Sequence, residues 1–181
     1  MVVLDKDLIQ KVQQGDPGAF APLMRKYESP IKNSMFHILG DADSTSDITQ
    51  EAFITTFEKI HQYNPDYRFF SWVYRIAFNK ALNRVSHRKH REPCLDENME
   101  SSEPGPYAEV EARERDDLIH QAMATLVFKY RILLRLRHFL DFSYSEIASV
   151  TDLPVSTVRS RLHTARVLMK KELKRIGVTK I

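Results

Sequence analysis

The sign of the charge changes twice along this chain, and that pattern limits its fold more than any other feature. From Arg68 to Arg91 come Arg68, Arg75, Lys80, Arg84, Arg88, Lys89 and Arg91, with no Asp or Glu between them. From Glu92 to Asp117 the acids Glu92, Asp96, Glu97, Glu100, Glu103, Glu109, Glu111, Glu114, Asp116 and Asp117 face only Arg113 and Arg115. The last stretch is basic again, with Arg159, Arg161, Arg166, Lys170, Lys171, Lys174, Arg175 and Lys180 against Glu172 alone. At the centre of the acidic run, Ser101-Ser102-Glu103-Pro104-Gly105-Pro106 cannot hold a helix, because two prolines and a glycine interrupt it. The expected organisation is two basic modules, 1–92 and 114–181, on an acidic flexible linker over 93–113.

A length of 181 residues accommodates two small cores. With 43% hydrophobic and 28% charged residues the chain has a globular balance. Only 5 Gly and 8 Pro, and few runs of alternating polarity, leave too little turn punctuation for a sandwich or barrel. The fold class is therefore all-α, as two small helical domains.

No apolar run approaches the roughly 18 residues that span a bilayer, and Met1 to Gln10 lacks a basic region followed by an apolar one. A soluble cytoplasmic protein without membrane insertion is expected. Cys94 is the single cysteine, so neither an internal disulfide nor a Cys-rich zinc site is available, and a reducing compartment fits.

In the first module, Asp47 to Tyr63 has helical spacing, with Asp47 as cap and Ile48, Ala52, Phe53, Phe57 and Ile60 as the buried stripe. Asp47, Gln50, Glu51, Ile54 and Glu58 form a second stripe. An isoleucine rimmed by acids and an amide suits a protein interface. After the turn Asn64-Pro65-Asp66-Tyr67, a helix is expected from a cap at Ser71 to about His90. Its core side is Trp72, Val73, Ile76, Ala77, Ala81, Leu82 and Val85. Asn79, Asn83, Ser86, His87 and His90 share another face, beside Lys80, Arg84, Arg88 and Arg91. Such a face offers hydrogen bonds to bases and charge to phosphates. Tyr67, Phe69, Phe70 and Tyr74 crowd its entrance. Aromatic rings there can stack unpaired bases or simply pack the core, and Tyr67 and Arg68 in the turn are the better contact candidates.

In the second module, Ser143-Tyr144-Ser145-Glu146 has the capping-box pattern and opens a short apolar helix with Ile147, Ala148 and Val150. Thr151-Asp152-Leu153 makes a turn to Pro154, placed at a first helical position. Val155, Val158, Leu162, Ala165 and Met169 then form a core stripe. The outward residues are Ser156, Thr157, Arg159, Ser160, Arg161, His163 and Arg166. This is a helix-turn-helix whose second helix can enter a major groove.

The residues Asp47-Ile48-Thr49-Gln50-Glu51-Ala52-Phe53 and Phe70-Ser71-Trp72-Val73-Tyr74-Arg75-Ile76-Ala77-Phe78-Asn79 resemble region 2 of extracytoplasmic-function sigma factors, a group of the sigma-70 family. Tyr144-Ser145-Glu146-Ile147-Ala148 and Pro154-Val155-Ser156-Thr157-Val158-Arg159-Ser160-Arg161-Leu162 resemble their region 4. The order, the spacing, the acidic linker and Gly15-Asp16 with Ala19-Phe20 agree, so the resemblance covers nearly the whole chain. It implies a non-enzymatic protein with no catalytic residue, cofactor or metal, which directs core RNA polymerase to promoters. Asp47, Gln50, Glu51 and Ile54, with Glu58 on the same stripe, would dock on the beta-prime clamp helices, and the beta flap is a further implied contact. Asn64, Tyr67, Arg68, Asn79, Lys80, Asn83, Arg84, His87 and Arg88 would serve the minus-10 element and its unpaired non-template strand. The helix from Pro154 would read the minus-35 duplex, and the linker would follow the RNA-exit path. An anti-sigma factor or other recruiting protein is an expected partner. Asn83 stands where many members carry Asp, Leu126-Val127-Phe128 lacks the common Leu-Pro opening of region 4, and Asp152 occupies a turn position usually given to Gly. Asp tolerates the left-handed conformation at modest cost.

Two other classes account for fewer of the residues. An autonomous helix-turn-helix regulator binding an operator leaves the Asp47 to Glu58 stripe and the first basic helix without a role. A metal-dependent nuclease would need Asp41, Asp43 and Asp47, or His87 and His90, as ligands; the cations beside those two histidines favour their neutral form but repel a metal, which makes a poor cation site.

Overall fold

The computed structural model of the chain describes residues 4–91, the last four as helix backbone, and 118–178. The chain divides into two compact units, Met1–Cys94 and Leu95–Ile181. Every regular element among the described residues is helical, and no described helix is long and apolar enough to cross a membrane. The acidic linker lies outside the described residues.

The first unit contains α1 (Asp5–Gln13), α2 (Phe20–Leu39), α3 (Ala42–Glu58) and α4 (Phe69–Arg91). Gly15, at φ +97°, supplies the left-handed turn after α1. Asp16 then accepts from the Gly18 N–H at 3.0 Å and starts the short turn into α2. α2, α3 and α4 pack against one another. Leu23, Ile31, Met35, Ala52, Val73, Ala77 and Ala81 are completely buried between them, and each large side chain among these contributes about 1.5–3 kcal/mol by leaving water. Asp5 ties α1 down by accepting from Lys26 Nζ at 2.7 Å and from the Tyr27 hydroxyl.

Two helix starts differ from expectation. α3 begins at Ala42 rather than at Asp47, because Asp41 is its cap and accepts from the Ser44 N–H at 2.7 Å. Asp47 therefore sits inside the helix, which ends at Glu58 before a short turn at Ile60–Gln62. α4 begins at Phe69, and Ser71 is not its cap: the side chain is buried within the first turn and donates to the Arg68 carbonyl at 2.8 Å.

The second unit has a helical stretch over 118–124, then α5 (Phe128–His138), α6 (Tyr144–Thr151) and α7 (Val155–Arg175). α5 and α6 both pack on α7, around Leu136, Phe142, Ile147, Val158, Leu162 and Ala165, all at 0% exposure. The Ser143–Glu146 capping box forms reciprocally: Ser143 Oγ accepts from the Glu146 N–H at 3.2 Å, and Glu146 Oε2 accepts from the Ser143 N–H at 2.9 Å. Asp152 holds the turn in the left-handed region at φ 54°, ψ 38°. Pro154 stands one place earlier than expected, in the capping position with extended ψ, and its carbonyl accepts from the Val158 N–H at 3.0 Å. Its ring thereby fixes the direction in which α7 leaves the turn.

Candidate nucleic-acid interface

On α3 the structure brings the first set of site residues together. Asp47, Gln50, Glu51, Ile54 and Glu58 are all exposed, with Ile54 at 59%. Phe57, expected in the core, is 40% exposed. Its ring meets Phe20 edge-on with centroids 5.2 Å apart, so one side is covered while the rest extends the apolar part of the stripe. Ile48, Ala52, Phe53 and Ile60 are buried as expected.

The turn before α4 is built by its own side chains. Asn64 Oδ1 accepts from the Asp66 N–H at 2.9 Å, the Asn64 carbonyl accepts from the Tyr67 N–H at 3.2 Å, and the Tyr63 hydroxyl donates to the Tyr67 carbonyl at 2.6 Å. Asn64 thus shapes the turn, while Tyr67 presents its ring to solvent at 47% exposure. Arg68 is exposed beside it. Phe69 and Tyr74 are buried, which withdraws both from base stacking. Phe69 instead meets Tyr27, Tyr63 and Trp72 with centroids 5.4–5.9 Å apart, and Tyr27 stacks on Phe70. This aromatic foot fixes the angle at which α4 leaves the turn.

Along α4, Asn79, Asn83 and His87 are exposed at four-residue intervals, one stripe of the helix. Arg75, one turn before Asn79 and also exposed, extends that stripe and belongs with it. Its membership was legible in the same spacing. Lys80 and Arg84 flank the stripe and reach back to α3, where Glu51 takes both, at 3.3 Å from Lys80 and 3.8 Å from Arg84. Residues expected on two separate surfaces are therefore in contact. The side chains of Arg88, His90 and Arg91 lie outside the described residues.

In the second unit Ser156, Arg159, Ser160, His163 and Arg166 are exposed on α7, whereas Thr157 and Arg161 are half-buried. Arg161 adjoins the buried Leu162 and stands three residues from the buried Val158, so it belongs to the flank of the outward face. Val155 is 39% exposed rather than in the core. As the first residue of the helix it starts the outward face, and Leu173 prolongs the buried stripe at the other end.

Arg166 has neighbours that no sequence pattern announced. Its Nε donates to His138 Nε2 at 3.5 Å, and its hydrogen bond to Tyr144, then its charge, hold that phenol below the usual tyrosine range. Arg137 lies over the Tyr144 ring, 5.7 Å from its centroid, and donates to the Phe142 carbonyl at 2.9 Å. Among the described residues no three His, Cys, Asp or Glu side chains gather into a possible metal site.

Two family descriptions match the chain in order: Sigma-70 region 2 over residues 23–91 and Sigma-70, region 4 over residues 116–169. The chain is 37% identical over 180 residues to the RNA polymerase sigma-H factor of Pseudomonas aeruginosa, covering 93% of each protein. It is 32% identical over 175 residues to the ECF RNA polymerase sigma-E factor of Escherichia coli K12, covering 90% of each. Among solved structures, the fold is similar to the sigma factor RpoE from Bartonella quintana, solved with the anti-sigma factor NepR. The TM-score is 0.69 at 16% identity, covering 86% of this chain and 96% of that one.

Proposed function

Because the chain belongs to the extracytoplasmic-function group of the sigma-70 family and is an RNA polymerase sigma factor, we propose that its two units read promoter DNA in two different physical states. The first unit takes the minus-10 element as unpaired strand, and the second takes the minus-35 element as duplex. The observation that carries the reading is the exposed stripe of Asn79, Asn83 and His87 on α4, flanked by Lys80 and Arg84, with Tyr67 exposed in the turn that precedes the helix.

Amides and an imidazole at four-residue spacing offer donors and acceptors to base edges, and the flanking cations meet the phosphates. Tyr67, held out from a turn that satisfies its own backbone, offers a ring to a base that has left its stack. Such stacking contributes about 1–3 kcal/mol per base. Since only the open state provides that base, binding it shifts the promoter toward opening by the difference in affinity between the two states. No bond is made or broken by the chain: the protein is not an enzyme and acts by binding alone.

In the second unit Arg159, with Ser156, Ser160 and His163, faces outward from the first three turns of α7. A guanidinium fork there can hold two acceptors of one guanine, with about 1–3 kcal/mol of discrimination for a good pair. The α3 stripe seats the protein on the clamp helices of core polymerase, with Ile54 and Phe57 as apolar anchors among Asp47, Gln50, Glu51 and Glu58. The second unit meets the beta flap, and the acidic linker over 93–113 follows the positively charged RNA-exit path. The setting is the cytoplasm, where polymerase and chromosome meet, and an anti-sigma factor or other recruiting protein is the expected regulator.

The test is run-off transcription by purified core polymerase, with and without the chain, on a pool of genomic fragments. Chain-dependent transcripts sharing an upstream motif support the reading. Chain-dependent DNA binding with no gain in transcription contradicts it and favours the operator-binding regulator.

A further inference from the structure

Arg166 sits where three elements of the second unit meet. From α5, His138 Nε2 accepts its Nε–H at 3.5 Å. From the first position of α6, Tyr144 hydrogen-bonds to it, and the charges of Arg137 and Arg159 act on the same phenol. Three guanidiniums thus surround two neutral side chains. Asp141 pairs with Arg137 at 3.7 Å, but its own side chain is 90% exposed.

A guanidinium donates five N–H bonds and accepts none. In the free chain Arg166 uses a phenol and an imidazole, both uncharged acceptors. A phosphate oxygen serves a guanidinium better, through shorter, charge-assisted bonds. The position suits a DNA backbone: in helix-turn-helix domains the first helix crosses the phosphates while the second lies in the groove. Tyr144 opens α6, the first of these helices, and Arg166 lies two turns beyond Arg159 on α7.

We infer that Arg137, His138, Tyr144 and Arg166 form a seat for one backbone phosphate of the minus-35 duplex, in which His138 turns from hydrogen-bond acceptor to donor as the phosphate arrives. The inference rests on the second unit being the duplex reader. In the free chain, loss of solvent around the ring, then Arg166 and Arg137, hold His138 below the ordinary histidine range. It is therefore uncharged near neutral pH. The phosphate brings a negative charge against the ring, which favours the imidazolium. Binding then takes up a proton wherever the pH lies between the free and bound values, and affinity rises as the pH falls.

The experiment uses holoenzyme assembled from the full chain and core polymerase, with duplexes carrying the upstream motif recovered from the run-off pool. Between pH 8 and pH 6 the wild-type affinity rises by about 3-fold or more. His138→Gln flattens that rise. His138→Lys, permanently charged, gives a pH-independent affinity at least equal to that of wild type at pH 6. Replacing one backbone phosphate by an uncharged methylphosphonate removes the pH dependence of wild type at a single position, and there it weakens His138→Gln by the same factor at every pH, since Arg137 and Arg166 also lose their anion. A His138→Gln holoenzyme with the wild-type pH slope overturns the inference, and so does a His138→Lys holoenzyme as weak as His138→Gln at every pH. A wild-type slope that survives every methylphosphonate also overturns it, and assigns the proton uptake to a protein contact. Failure of the duplex-reader assignment looks different: wild type then shows no preference for the upstream motif at any pH.

Discussion

The two helices proposed to face DNA are both basic in sequence and differ in electrostatic setting. On α4 the cations flanking the Asn79, Asn83 and His87 stripe are already engaged, since Glu51 of α3 holds Lys80 at 3.3 Å and Arg84 at 3.8 Å. On α7 the neighbours of Arg166 are an imidazole, a phenol and further guanidiniums. A basic run read from sequence is the same signal in both places, but its readiness for a phosphate depends on what the fold sets beside it. The first unit's cations share a carboxylate with the surface proposed for polymerase. In the second unit Arg166 faces neutral acceptors, and its neighbour Arg137 pairs with the exposed Asp141.

The largest expected effect comes from the docking stripe. Ile54→Asp puts a charge in the middle of an apolar anchor and should weaken assembly with core polymerase by about 2 kcal/mol or more, close to 30-fold. Co-elution or a titration with labelled core polymerase measures it, with helicity unchanged because Ile54 is 59% exposed. Equal affinity for both proteins removes the stripe from the interface.

Next, Arg159→Ala should cost about 1–3 kcal/mol against the cognate minus-35 duplex and relax discrimination at one base pair. Arg161→Ala, from the half-buried flank, should weaken binding with little change in sequence preference. A competition assay over single-base variants of the motif separates them, and identical profiles erase the distinction drawn between outward face and flank.

Glu51→Gln sharpens the contrast between the units most directly. Exposed ion pairs are worth between zero and about 1 kcal/mol and fade with salt. The variant's free chain should therefore bind a single-stranded minus-10 oligonucleotide up to about 5-fold more tightly at low salt, and like wild type at high salt. Lys80→Gln should weaken binding at both. An unchanged Glu51→Gln titration means the bridge restrains nothing.

The smallest effect is on the turn. Asp152 is non-glycine in the left-handed region, and Asp152→Gly should stabilise the second unit by less than about 1 kcal/mol, seen as a small rise in melting temperature. A loss of stability would assign Asp152 a side-chain role that outweighs its backbone strain.

Which parts of this arrangement the sequence disclosed follows from how local each signal is. The Ser143–Glu146 box and the left-handed Asp152 were legible because they involve residues within a few positions of one another. The first turns of α3 were not, because Ser44, Thr45 and Thr49 are polar yet buried. Thr45 and Thr49 donate back to their own helix, to the Asp41 and Thr45 carbonyls at 2.6 and 2.7 Å, so polarity there did not mean exposure. Ser71 misled in the same way, donating to Arg68 instead of capping. Phe57 and Val155 kept helical spacing but lie where no neighbouring helix covers them fully, a property of packing that periodicity does not contain. The outward stripes of α3 and α4 were read correctly as faces. Their contact through Glu51, and the meeting of His138 and Tyr144 with Arg166, join residues more than twenty positions apart and exist only once the helices pack.

A promoter premelted over the minus-10 element separates the two states of DNA that the two units are proposed to read. Holoenzymes carrying Tyr67→Ala or Arg159→Ala are compared on closed and premelted templates by the rate of productive initiation. Premelting should substantially rescue Tyr67→Ala, whose loss falls on capturing an unstacked base, while Arg159→Ala stays impaired and indifferent to the minus-35 sequence. Equal rescue of the two variants, or none for Tyr67→Ala, would contradict that division between the units.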